Sequence, residues 1–206
     1  MKKIFLLVAC MCAAVLLKAQ KVSEGAVLFD KQSQPGFVLN ISALEVDFVT
    51  DALKYSFEDK YAMKGSNVSG FRAYKRQRFI PFGSEGYDIY FKAEQNGPKK
   101  NREVKVSLLV SIDGVTFVTR ASDRATADKV VAFLENFVQV TIPEYTTKVR
   151  ITEVSAQLKK LEDKKKDLEK KQEKLNKELL EVKQELEQNA EDIQKAQQEL
   201  NSLNQK

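Results

Sequence analysis

Two groups of residues in this chain have types and spacings that can do chemistry. Asp47 and Asp51 stand one helical turn apart, which sets both carboxylates on one face of a helix. Such a pair could divide acid and base roles on a cell-wall or glycan substrate. The plainer reading is a solvated helix face, so no catalytic residue is assigned. Arg72, Lys75, Arg76 and Arg78 are interleaved with Phe71, Tyr74 and Phe79. On a strand, Arg72, Arg76 and Arg78 would share one face. Basic and aromatic side chains together could grip an anionic polymer, through phosphate contacts and stacking. The plainer reading is a charged edge strand that resists aggregation. These four residues are the candidate anionic-ligand patch.

Other chemistries lack their residues. The chain contains no histidine, so it offers no imidazole base, no histidine metal ligand and no histidine-containing triad. It has no glycine-rich phosphate loop. No metal and no cofactor is expected. Its two cysteines are Cys10 and Cys12, both in an N-terminal segment with the layout of a secretory signal. Lys2 and Lys3 form the basic start, Ile4 to Leu17 is an unbroken apolar run of fourteen residues, and Lys18-Ala19-Gln20 follows. Cleavage after Ala19 is expected. A helix of fourteen residues spans only about 21 Å, short of a bilayer core of roughly 30 Å. Leu7-Val8-Ala9-Cys10 also matches a lipoprotein cleavage box, which makes lipidation at Cys10 a minor alternative. The sequence therefore places the protein outside the cytoplasm, in a periplasm or the extracellular space, with no membrane span after cleavage.

The formal charge of +5 shrinks once Lys2, Lys3 and Lys18 are set aside, leaving 31 basic and 29 acidic residues. So small an excess does not point to nucleic acid.

The elements that would position these residues read in order. Gly25–Asp30 and Phe37–Ile41 are short β-rich runs around a turn at Gln34-Pro35-Gly36. Ser42-Ala43-Leu44-Glu45 has capping-box spacing. It opens an amphipathic helix with Val46, Val49, Leu53 and Phe57 on one face, which should stop at Lys64-Gly65. Four strands follow: Phe71–Ile80, Gly86–Glu94, Val104–Ile112 and, across Asp113-Gly114, Val115–Thr119. After Ser122-Asp123, Val130, Phe133, Leu134, Phe137 and Val138 mark a second helix. Thr141-x-x-Glu144 with Pro143 either starts a new helix or kinks the existing one. The expected fold is α+β: an antiparallel sheet in the order β-β-α-β4-α, packed by two helices. The domains are a signal at 1–19, the body at 20–140 and a long helix at 141–206.

That last helix carries the clearest pattern. Ile151, Leu158, Lys165, Gln172, Leu179, Leu186, Ile193 and Leu200 occupy one heptad position. Val154, Leu161, Leu168, Leu175, Val182, Asn189, Ala196 and Leu203 occupy the other. Thirteen of these sixteen residues are apolar, and no Gly or Pro follows Pro143. This is a coiled-coil seam. Pairs such as Glu162–Lys166, Asp167–Lys171, Glu173–Lys177 and Glu191–Lys195 would support the helix alone. Lys159 to Lys177 holds nine lysines and five acids, whereas Glu178 to Lys206 holds seven acids and three lysines. Opposite halves favour antiparallel self-pairing, although Lys164–Glu169 and Glu178–Lys183 would also attract across a parallel pair. Another coiled-coil protein is the second kind of partner.

The signal, the compact body, the Ala132-Phe133-Leu134 helix and the Lys/Glu-rich coil together resemble a loose group of secreted bacterial proteins. The resemblance covers the whole chain and implies no activity. The β-α-β4-α order is similar to the TATA-box-binding-protein-like fold, which implies topology alone. The signal and basic coil also look like a periplasmic chaperone with helical arms, but here the coil is C-terminal and continuous. Three functions follow, in order: a non-enzymatic binding or scaffold protein that pairs through its coil; a holdase using the coil as an arm; and an envelope enzyme built on the carboxylate pair.

Overall fold

Alternation of apolar and polar residues builds a six-stranded antiparallel sheet, ordered β1-β2-β6-β5-β4-β3. The strands are β1 (Ser23–Phe29), β2 (Gln32–Ser42), β3 (Ser66–Val68), β4 (Phe71–Arg78), β5 (Gly86–Asn96) and β6 (Glu103–Ser111). Helix α1 (Val46–Lys54) continues as a π-helical turn, Tyr55–Asp59. Helix α2 (Arg124–Asn136) continues as a second π-turn, Phe137–Thr141, and then as α3 (Ile142–Leu203). The computed structural model describes residues 21–97 and 103–203. The expected signal at 1–19 with Cys10 and the side chain of Leu203 lie outside the described residues.

The architecture is the expected α+β one: an antiparallel sheet with two packing helices, then one long helix. Its parts form two units, divided after Lys148. In the first unit, one sheet face and both helices make the main core. Phe37, Leu39, Ile41, Tyr74, Ile89, Phe91, Val106, Leu108 and Val110 meet Val49, Leu53, Phe57, Val130, Leu134 and Phe137, all buried. Phe57 sits at its centre, with ring centroids 4.9 to 5.7 Å from Tyr74, Phe79, Phe91 and Phe133. A smaller cluster on the opposite face joins Val27, Phe71, Ala73, Tyr90, Leu109 and Phe117. Phe29, at the end of β1, reaches Tyr90 and Phe71 at 4.8 and 5.3 Å, although three strands separate β1 from β4. Ser69 also donates to Asp30. The β1–β2 hairpin therefore bends over this face.

Several boundaries differ from the sequence expectation. The first hairpin turns at Asp30-Lys31, both with positive φ, and not at Gln34-Pro35-Gly36. Pro35 tolerates a strand position because this part of β2 pairs with β1 alone; β6 joins only from Phe37 onward. A Cβ at Gly36 would lie 2.8 Å from Leu109 Cδ2, so glycine lets the bent hairpin close onto the sheet. The capping box does not form. Ser42 ends β2 and donates to Glu103, and Glu45 itself occupies the N-cap position without a side-chain cap bond.

The count of four strands after α1 is right, but one member is exchanged. Val115–Thr119 is no strand; only Phe117 makes an isolated bridge, to Ser111. Asp113 Oδ1 accepts from the Val115 and Thr116 N–H groups and from the Ser111 hydroxyl. That closed turn delays the return to β6, which is met again only at Phe117, where Val118 N–H donates to Val110 O, whereas a two-residue hairpin would have paired at once. The missing strand is β3, joined to β4 by Ser69-Gly70, both at positive φ.

Candidate functional site

The seam belongs to α3, and its start is prepared within the first unit. Asp123 caps α2 by accepting from Thr126 N–H. The helix does not stop at Thr141. Ile142 N–H reaches back to Phe137 O, a π-helical bond that shifts the hydrogen-bond pattern just ahead of Pro143. Proline lacks a donor and would crowd the carbonyl four residues back. The wider turn comes where that donor is missing, and the helix passes on without a break. Glu144 does not reach back to a cap; it pairs with Lys60. Tyr145 lies against Phe48 and Tyr55 at 5.3 and 5.5 Å.

From Ile151 on, every residue of α3 whose burial is described is exposed. The apolar seam shares that exposure. Ile151, Leu158, Leu161, Leu168, Leu175, Leu179, Val182, Leu186, Ile193 and Leu200 all count among the large exposed apolar side chains, with Val154 the least exposed at 45% and Leu161 and Leu186 the most at 64%. Local ion pairs run beside the seam. Glu173–Lys177 forms as the spacing predicts, at 3.2 Å. Lys195 turns to Asp192 instead of Glu191. Lys165–Glu169 and Lys174–Glu178 add two more at 3.6 and 3.5 Å. Exposed pairs of this kind stabilise a helix by only about 0.2–0.5 kcal/mol each.

The basic patch is not assembled as one face. β4 opposes Arg72 to Phe91 and Tyr74 to Ile89, but then Gln77 to Tyr87 and Arg78 to Gly86. One extra residue enters at Lys75-Arg76, where Arg76 has φ 50°. Arg72 and Gln77 consequently share the helix-side face, and Arg78 is turned to the opposite one. Arg72 is also engaged: its guanidinium pairs with Glu58 at 2.7 Å, and the Tyr74 hydroxyl donates to the same carboxylate. Burial works against the Arg72 charge, but its bonds to Glu58 and Tyr74 outweigh burial and raise its pKa. Burial first, then Glu58, pushes the Tyr74 phenol far above its ordinary value. Lys75, Arg76 and Arg78 are exposed, and the Arg76 N–H donates to Asp88. Gly65, expected to cap α1, instead makes room for Arg72; a Cβ there would stand 2.3 Å from its Nε.

Asp47 and Asp51 are both exposed, and Asp51 pairs with Lys54 at 2.9 Å. Three features were not foreseen. A cleft of about 270 Å³ lies beside both π-turns, lined by Ser56, Lys60, Lys129, Phe133 and Thr141 among others. Its lysines are engaged, Lys60 with Glu144 and Lys129 with the Phe82 carbonyl. Asp88 is buried on the far sheet face and accepts from Tyr90, whose phenol burial and Asp88 push up to about 12. The π-turns themselves leave no mark in apolar periodicity; only Pro143 hints at one of them.

Among the described residues no cluster of His, Cys, Asp or Glu could hold a metal ion, and no helix is long and apolar enough to cross a membrane. No protein-family model, curated protein or solved structure matches this chain.

Proposed function

We propose that this is a non-enzymatic, exported binding or scaffold protein that associates through the seam of α3. One observation carries the reading: an apolar heptad stripe, interrupted at Lys165, Gln172 and Asn189, stands exposed on α3 from Ile151 to Leu200. Scattered apolar residues on a surface are ordinary, but a periodic stripe is what a partner helix covers. Local ion pairs support the helix but give no reason for the 3.5-residue apolar spacing. Export is supported by Lys2-Lys3, the apolar run Ile4–Leu17 and the Lys18-Ala19-Gln20 end of that segment.

A second copy is the favoured partner, because the two halves of the coil carry opposite net charge. The test is sedimentation equilibrium of the chain from Gln20 onward at tens of micromolar. A dimer is expected. A monomer would remove self-association and leave a different coiled-coil protein as the partner.

A further inference from the structure

We propose that two copies pair antiparallel over the full seam, in the register that sets Ile151 against Leu203 of the second copy. This rests on the self-association reading above and adds direction and register to it.

Reversing the second helix exchanges the two seam positions at each level, so a residue at the first position meets one at the second. Only registers one heptad apart are then allowed. Full overlap of Ile151–Leu203 selects a single one, whose midpoint falls at residue 177. The charge pattern marks the same point independently. Nine lysines against five acids run from Lys159 to Lys177, and seven acids against three lysines run from Glu178 to Lys206. The apolar repeat and the charge reversal therefore share one centre, as expected of a helix that overlaps its own reversed copy.

The polar seam residues agree. In a parallel pair, Lys165 would stack on Lys165 and Asn189 on Asn189. In the full-overlap antiparallel register, Lys165 meets Asn189 of the second copy, whose side-chain carbonyl can accept from the ammonium. Leu168 meets Leu186, and Gln172, whose amide can reach water at the seam edge, meets Val182. Sliding one heptad in one direction sets Lys165 against Ala196, which offers the ammonium no acceptor. Sliding in the other direction sets Lys165 against Val182 and Asn189 against Leu158, two unmatched polar layers. Beside the seam, Lys171 falls near Glu185 and Glu169 near Lys183 of the second copy. Among the described residues, the seam side chains these pairings use are exposed, Lys165 with a surface pair to Glu169 at 3.6 Å.

The test is disulfide trapping in the full chain with Cys10→Ser and Cys12→Ser. Leu161→Cys chains mixed with Ile193→Cys chains should form a covalent dimer under mild oxidation, because these positions share a layer. Leu161→Cys alone should not, since its two copies would lie about 48 Å apart. Self-linking of Leu161→Cys would show a parallel pair and overturn the proposal. Linking to Leu186→Cys or Leu200→Cys in place of Ile193→Cys would show a slid register and also overturn it. A second measurement leaves the seam intact: spin labels on Asp163→Cys, an outward position, should lie about 40 Å apart. A separation of about 20 Å or less overturns antiparallel pairing. Sedimentation of the unlabelled chain as a monomer would instead refute the association beneath it.

Discussion

Leu168→Ala tests the seam most directly. In the single chain Leu168 is 57% exposed, so rather more than half of its surface remains to be covered by a partner. Fully burying a leucine contributes about 1.5–3 kcal/mol. The uncovered share, less what alanine retains, is about 1 kcal/mol per chain. A dimer holds two copies, so the loss is about 2 kcal/mol, which raises the dissociation constant about 30-fold. The unfilled space adds to this, because a paired seam relaxes only partly around a truncation. Sedimentation equilibrium or dilution-dependent circular dichroism reads the constant directly. Glu181→Ala, on the outward side of the same helix, should leave it unchanged. A shift under threefold for Leu168→Ala, or equal shifts for both variants, would refute the claim that the exposed stripe is the pairing surface.

Further expectations concern the body. Phe57→Ala empties the centre of the main core and should cost about 3–5 kcal/mol in urea unfolding, with the dimer constant unmoved; a cost under 1 kcal/mol would contradict the ring packing described. Glu58→Gln removes the charge that Arg72 and Tyr74 share and should cost about 1–2 kcal/mol, with Arg72→Gln in the same background costing less than it does alone. Asp123 is held below the usual carboxylate range by its bonds to the Thr126 side chain and N–H. Its contribution to stability is therefore present above its unfolded value, near pH 4, and is lost as pH falls through the lower folded value. Asp123→Asn can still cap but cannot titrate, so urea midpoints between pH 5 and 3 should fall less steeply for it; an unchanged slope would contradict that assignment.

How much of this was readable beforehand depends on whether the signal was periodic or local. Heptads, the alternation in β5 and β6, and the stripe of α2 are periodic, and a helix or strand forms at each; burial follows the period in α2 alone, because both faces of Val106–Ser111 are covered and the heptads are exposed. The errors fall where single residues decide. Pro35-Gly36 has the composition of a turn, but β2 runs through it because β6 does not need the missing donor there. Asp113-Gly114 has hairpin composition, yet the Asp113 carboxylate takes two N–H groups, and the wider turn leaves a single bridge to β6 in place of a strand. The bulge at Lys75-Arg76 has no compositional mark at all, and it separates arginines that strict alternation would have aligned. β3 did have a signal, Ser69-Gly70 between Val68 and Phe71, but three residues are too few for alternation to register. Ser42-x-x-Glu45 failed because Ser42 was already committed to β2 and to Glu103. At Ser42 a tertiary partner outcompeted the local preference, and at Asp113 one local motif outcompeted another.

The coil carries the functional reading, and the distribution of apolar residues explains why. In the body, large apolar side chains face inward, and the exposed exceptions are single residues: Leu28, Ile80, Ile112 and Val115 among them. The body's ionisable groups are likewise turned on one another, Arg72 on Glu58, Lys60 on Glu144 and Lys148 on Asp59. In α3 beyond Lys148 the relation is reversed, for there every large apolar side chain described beyond Val149 is exposed. A chain that placed so many leucines in water at a 3.5-residue interval, with no partner, would gain nothing from their spacing. Substituting each with lysine or glutamine would keep the helix equally well on propensity alone. The interval has a physical consequence only when another helix meets it. Substitutions in the two units should therefore separate cleanly: changes in the body should move the unfolding midpoint, and changes in the seam should move the concentration at which chains associate.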